Sequence, residues 1–200
     1  MSNRSATTAM NETALATLFQ SSLADQWEAL PPAIRNLHSV QDTESFSGTA
    51  SIFRGKSLFT HFLGWVFRFP PAGDEVPVTV TITRTEAGET WERNFDGHIL
   101  SSYCMPASTP HRYQERFGLF KGELDLLVEN ECLRLPVTRG WFAGLPLPRF
   151  LLPRSDSSEY VHNGDFRFDI TLSAPLGVGF LVRYCGYLRP DPGEALPPRK

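Results

Sequence analysis

Residues 76–103 read VPVTVTITRTEAGETWERNFDGHILSSY, which is the grammar of an antiparallel meander. Val78, Val80 and Ile82 alternate with Thr79, Thr81 and Thr83, a period of two built from β-branched residues. Glu86-Ala87-Gly88 is a turn, and 89–95 is the next strand. Asp96-Gly97 then signals a two-residue hairpin into 98–103. The pattern continues toward the C-terminus in the runs 112–117, 123–129, 132–141, 155–161, 166–173 and 179–188, with Asn163-Gly164 as a second hairpin turn. A proline-rich crossing occupies 144–150. Toward the N-terminus, 46–53 is strand-like, and 57–67 predicts a helix stopped by Pro70-Pro71. Leu15, Leu18, Phe19, Leu23 and Trp27 recur at helical spacing, with Asn11 or Thr13 as the cap. Pro31-Pro32 interrupts that pattern, and 33–38 adds one more turn.

The expected architecture is mainly β. It is an antiparallel up-and-down barrel or half-barrel of about ten strands, with an N-terminal helix and a second helix after the first strand. Residues 1–12 read as a disordered tail, 13–188 as a single domain and 189–200 as a proline-rich tail. The chain has 200 residues, with Lys plus Arg 19 against Asp plus Glu 22. That balance lacks the basic excess of a general nucleic-acid binder. The longest apolar run, 58–70, contains His61 and Arg68 and falls short of the roughly 20 residues that span a bilayer. Three cysteines without a C-x-x-C spacing argue for free thiols rather than a disulfide framework or a zinc ribbon. The first twelve residues lack the apolar core of a signal peptide, so a cytoplasmic location is expected.

Some strands sort cleanly into an apolar and a polar face. Phe166, Phe168, Ile170 and Leu172 share one side, as do Leu124, Leu126 and Val128. Others mix charge with aromatics: Glu89, Trp91, Arg93 and Phe95 share a face, and so do Leu181, Arg183, Cys185 and Tyr187. Burying a charge among aromatics is costly unless it is paired. Such faces are either outside or line a cavity that contains polar groups. The polar constellation is Glu89, Arg93, Arg116, Glu159, Arg167, Asp169 and Arg183. Its simpler reading is a set of cross-strand ion pairs. In the functional reading Arg93 or Arg183, backed by the carboxylates Glu89, Glu159 or Asp169, anchors the head group of a ligand. Trp91, Phe95, Trp141 and Tyr187 then contact its apolar remainder. A guanidinium suits an anionic head because its planar fork donates two parallel hydrogen bonds.

The run 88–97, with its E-x-W-x-R-x-F pattern, is accompanied by Pro70-Pro71-Ala72-Gly73 before Val76, by Gly144-Leu-Pro-Leu-Pro148, by Gly164-Asp-Phe-Arg-Phe-Asp169 and by Val182-Arg-Tyr-Cys-Gly-Tyr-Leu188. Together these motifs resemble the bacterial family known as domain of unknown function 4166, over residues 15–188. Members often follow a saccharopine-dehydrogenase-like NADP-binding domain. The resemblance therefore implies an NADP-dependent oxidoreductase as a partner. No G-x-G-x-x-G occurs in this chain, which would make it a stand-alone member. The resemblance implies no activity.

No H-E-x-x-H, G-x-S-x-G or phosphate-binding glycine loop is present. Neither a metal nor a cofactor is expected. Three readings of function stay open: a module binding a small hydrophobic, in one form anionic, molecule in a barrel cavity; a cyclase, isomerase or reductase accessory acting on such a molecule; and a solid-cored interaction domain. The loop 141–153 reads either as a rigid cover over one end or as a lid or membrane-docking loop.

Overall fold

The computed structural model describes residues 16–191. Asn11, Thr13, Leu15 and the tail expected at 1–12 lie outside the described residues, as does 192–200. The N-terminal helical pattern is realised in three pieces: α1 (Leu18–Leu23), a 3₁₀ segment (Ala24–Ala29) and α2 (Pro32–Leu37). Thr17 rather than an upstream residue caps α1 in a capping box: its Oγ1 accepts from the Gln20 amide, and the Gln20 side chain accepts from its own. Ala24, at φ 48°, ends α1. Pro32 opens α2, where its missing N–H costs nothing. Phe19, Leu23, Trp27, Leu30, Ile34 and Leu37 are all buried.

β1 (Thr43–Arg54) leads to α3 (Leu58–Val66), capped by Ser57, whose Oγ accepts from the Thr60 amide at 3.1 Å. The meander follows as β2 (Gly73–Thr85), β3 (Gly88–Phe95), β4 (His98–Pro106), β5 (Arg112–Phe117) and β6 (Phe120–Asp125). β7 (Leu127–Glu129), β8 (Cys132–Arg134), β9 (Val137–Phe142) and β10 (Leu145–Pro146) are short. β11 (Arg154–His162), β12 (Asp165–Ala174) and β13 (Gly179–Pro190) complete the set. Arg189 and Pro190, read from sequence as tail, therefore end a strand. The turns at Asp96-Gly97 and Asn163-Gly164 both have positive φ at both residues, as two-residue hairpins require.

All thirteen strands form one antiparallel sheet, in the order β10-β9-β6-β5-β4-β3-β2-β1-β13-β12-β11-β8-β7. Among the described residues the ladder is not closed, and the expectation of ten strands is not met. Two long runs of chain are broken: 120–129 at Leu126, and 132–142 at Leu135-Pro136, where proline has no N–H for a ladder bond. The short β10 is the third addition. The broken hairpin straddles the sheet: β6 and β9 pair near one margin, β7 and β8 at the other. Backbone bonds from Asp125 to Pro136 (3.0 Å) and from Leu135 to Ser157 (3.0 Å) carry the chain across the gap. The sheet is thereby rolled around an internal space.

At the β1–β13 pairing the strands leave no room for side chains at two positions. A Cβ on Gly48 would lie 1.9 Å from the Tyr187 carbonyl oxygen, and one on Gly186 would lie 2.0 Å from that of Thr49. Strand directions define two ends. At one, α1 and α2 plug the roll, together with the turns at 86–87, 107–111, 130–131 and 163–164. At the other lie α3 and the connections 96–97, 118–119, 143–153 and 175–178. No helix among the described residues is long and apolar enough to cross a membrane.

Candidate functional site

The roll encloses a cavity of about 650 Å3. Val78, Val80, Leu100, Leu124, Phe168 and Leu181 are among the apolar side chains lining it, contributed by both halves of the sheet. The exposed members of its lining, such as Phe59, Phe62, Val66, Phe142 and Leu151, all belong to the α3 end. That end is open, and the plugged end is sealed by Phe19 and Leu37.

Polar groups enter the cavity wall in two clusters. The first is centred on Arg93, which projects from β3 between Trp91 and Phe95. The register sets Trp91 opposite Ser102 and Cys104 opposite Glu115, so Ser102 and Glu115 come within reach of the guanidinium. Arg93 Nη1 donates to Ser102 Oγ at 2.9 Å and Nη2 donates to Glu115 Oε1 at 3.1 Å. Ser102 Oγ donates to the same carboxylate oxygen at 2.6 Å, and the Tyr113 hydroxyl donates to Oε2 at 3.3 Å. The guanidinium also lies 5.2 Å from the Trp91 ring and 5.9 Å from that of Phe117. Burial is the largest single influence on the Arg93 pKa and would lower it; the Glu115 charge, with Tyr184, Cys104 and Tyr113 adding to it, more than offsets burial, so the value is raised and Arg93 stays cationic. Burial pushes the Tyr113 and Tyr184 phenols and the Cys104 thiol up, which keeps all three neutral. Of the five N–H donors of a guanidinium, the described residues use two.

The second cluster lies under the plug. His38 Nε2 is 2.7 Å from Glu159 Oε2, and both side chains are buried. Glu159 reaches the cavity wall beside Ser157. Phe19 stacks on the His38 ring at 3.8 Å, and the Thr17 hydroxyl donates to the His38 carbonyl at 2.7 Å. Glu89 is buried next to this cluster without lining the cavity: it accepts from the Leu18 amide (3.3 Å) and from Trp91 Nε1 (3.1 Å). It ties α1 to β3.

Of the residues singled out in the sequence, Trp91, Arg93, Phe95 and Glu159 thus come together on the cavity wall. Trp141, Arg183, Tyr187 and Asp169 do not. Arg183 donates from Nε and Nη2 to Asp169 at 2.8 and 2.6 Å in a half-exposed bidentate pair, and Asp169 holds its pKa above the ordinary value. Tyr187 lies between the guanidiniums of Arg167 and Arg189. Trp141 faces Lys121 Nζ at 4.4 Å, and Arg116 lies over Tyr103. Bulges explain the displaced faces, since one extra residue reverses every side chain beyond it. One, at Thr138 on β9 opposite Glu123 and Leu124, sets Val137 and Phe142 inward and Trp141 outward. The other, opposite Phe180–Val182, turns Leu181 in with Tyr184 while Arg183 and Tyr187 face out.

Sequence reading missed Ser102, Tyr113, Glu115 and His38. The alternation Tyr113, Glu115, Phe117 on β5 carries a signal for two of them. His38 meets a partner 121 positions away and carries none. Among the described residues no group of three or more His, Cys, Asp or Glu side chains could hold a metal ion, and Cys104, Cys132 and Cys185 are free thiols.

No curated protein and no solved structure matches the chain. Residues 30–188, which include nearly the whole sheet and both polar clusters, match the family described as a domain of unknown function (DUF4166), and the chain belongs to that family.

Proposed function

We propose that the domain binds a small hydrophobic molecule whose single polar end, a carbonyl or hydroxyl oxygen, accepts from Arg93. The observation that carries this reading is the cavity of about 650 Å3, inside the range of about 300–1,000 Å3 of small-molecule sites, with its polar groups confined to two clusters. Arg93 is already neutralised by Glu115, and Glu159 adds a second carboxylate to the wall. A carboxylate ligand would face two acids and one shared cation. A neutral oxygen needs only the spare guanidinium donors. An NADP-dependent oxidoreductase acting on the same molecule is the partner that the family resemblance adds to this reading.

Native mass spectrometry of the purified protein, followed by denaturing extraction, tests the proposal. The expected result is a co-purifying hydrophobic molecule, or saturable uptake of N-phenyl-1-naphthylamine that Phe168→Arg abolishes. An empty protein that takes up no probe overturns it.

A second reading, proton transfer on the bound molecule, is favoured by the buried contact between His38 and the cavity carboxylate Glu159. In that case Glu159→Gln retains binding, and the extracted molecule differs in isomeric form from that held by the unaltered protein. Identical extracts from both proteins remove this reading.

A further inference from the structure

The open end presents exposed side chains that, apart from Phe62 at the mouth, the binding reading does not use. We propose that this end docks on a membrane whose lipids are anionic, seating the cavity mouth in the interfacial layer. α3 is built inside out for a surface helix. The inward side carries small residues beside the partly buried Leu63: a Cβ on Gly64 would overlap the Arg54 guanidinium, and Thr60 packs on Gly55. The outward side carries Leu58, Phe62 and Trp65, which are 91%, 57% and 77% exposed. A helix apolar toward solvent calls for an apolar neighbour there. Three other connections at the same end add Leu119, Leu145, Phe150 and Leu176, each more than three-fifths exposed. Apolar groups gathered from four separate segments around one opening form a patch, unlike scattered single exposures.

Charge is sorted along the same axis. Neither 54–73 nor 132–155 contains an Asp or a Glu. Lys56, Arg68, Arg149 and Arg154 are exposed there and have no ion-pair partner among the described residues. The acids toward this end are Asp74, Glu75 and Asp96 at the β2–β3 corner and Asp156, which Arg134 pairs at 2.7 Å. At the plugged end Asp25, Glu28, Asp42, Glu44, Glu86, Glu129 and Glu131 are all exposed. A chain with net charge −3 therefore turns a cationic, apolar end one way and an acidic end the other. Cations draw such an end to an anionic leaflet, and Trp, Phe and Leu then insert into the boundary between head groups and acyl chains. A protein partner of fixed shape would not need cations spread among apolar tips. The inference stands on surface residues and does not depend on what the cavity holds.

The experiment is flotation of the purified full chain with vesicles of phosphatidylcholine alone and of phosphatidylcholine with phosphatidylglycerol. Binding to the anionic vesicles is expected, with a blue shift in Trp65 emission, and raising the salt weakens it. Trp65→Ser with Phe150→Ser should lower the bound fraction at least tenfold, and Arg149→Glu with Arg154→Glu should remove the preference for anionic vesicles. All of these residues are exposed, and uptake of N-phenyl-1-naphthylamine by each variant reports separately on the cavity. Failure to bind either vesicle overturns the proposal, as does binding that the variants leave unchanged. A solution dimer broken by Trp65→Ser, without vesicle binding, also overturns it and assigns the patch to a second copy.

Discussion

The two ends of the roll are made from the same kinds of residue and treat them oppositely. At the plugged end Phe19, His38, Trp91 and Tyr113 pack ring on ring, Glu89 and Glu159 find hydrogen-bond partners, and Leu37 closes the space. At the open end Phe59, Phe62, Trp65 and Phe150 face outward. The difference teaches where stability resides. Aromatic surface withdrawn from water at the plug contributes to folding, at about 25 cal/mol per Å2. The same surface at the opening contributes little and is left available for another role.

Changes at the plug should therefore be felt most. Phe19→Ala removes a ring that touches His38, Trp91 and Tyr113. It should cost about 4 kcal/mol in urea unfolding; a loss below about 1 kcal/mol would show that the plug is not integral to the fold. Next comes Arg93→Met, which strands Glu115 in the cavity wall and should cost about 3 kcal/mol. Arg93→Met with Glu115→Met should recover much of that loss, because no buried charge is left unmatched. Equal losses in the single and double variants would contradict this.

The wall between the two ends responds to pH. Burial raises the pKa of Cys104, Tyr113 and Tyr184, so the folded chain holds these protons more tightly than the unfolded one. Their contribution is complete below the unfolded values, ~8.5 for Cys and ~10 for Tyr, and is lost as pH rises above them. The Tm should fall between about pH 8 and pH 11. Tyr184→Phe keeps the ring against Phe95 and should make that fall shallower; an unchanged slope would exclude Tyr184 as a contributor. The smallest effect belongs to the opening: Trp65→Ser should change stability by less than about 0.5 kcal/mol. A larger loss would mean that α3 helps to hold the fold together.

How far all this could be read in advance depended on whether a strand ran unbroken. The 76–83 stretch of β2, β3 and the Phe166–Leu172 face of β12 keep a strict period of two, so Trp91, Arg93 and Phe95 could be placed on one face from the sequence. Trp141, Arg183 and Tyr187 could not, because a single extra residue upstream reverses their faces and nothing in the composition marks it. The strand count failed for a related reason. Leu126 and Leu135-Pro136 break ladders that hydropathy shows as continuous. The Arg93–Glu115 pair needed the register of three strands, and the His38–Glu159 pair needed the packing of α2 on the sheet. Helix α3 was legible as a helix, but its inverted orientation follows from Gly55, Thr60 and Gly64 fitting against the sheet, a matter of shape rather than pattern.

The straddling hairpin has one more consequence. Because β6–β9 and β7–β8 take up both margins of the sheet, the strands left outermost are β10, two residues ending in Pro146, and β7, three residues. Long unpaired edges invite strand addition and fibrous aggregation, and among the described residues neither outermost strand is long enough to offer one. A chain that exposes so much apolar surface at one end is thus protected along its backbone. If it self-associates, it will do so through side chains at the opening, reversibly and with sensitivity to detergent, rather than by recruiting further strands.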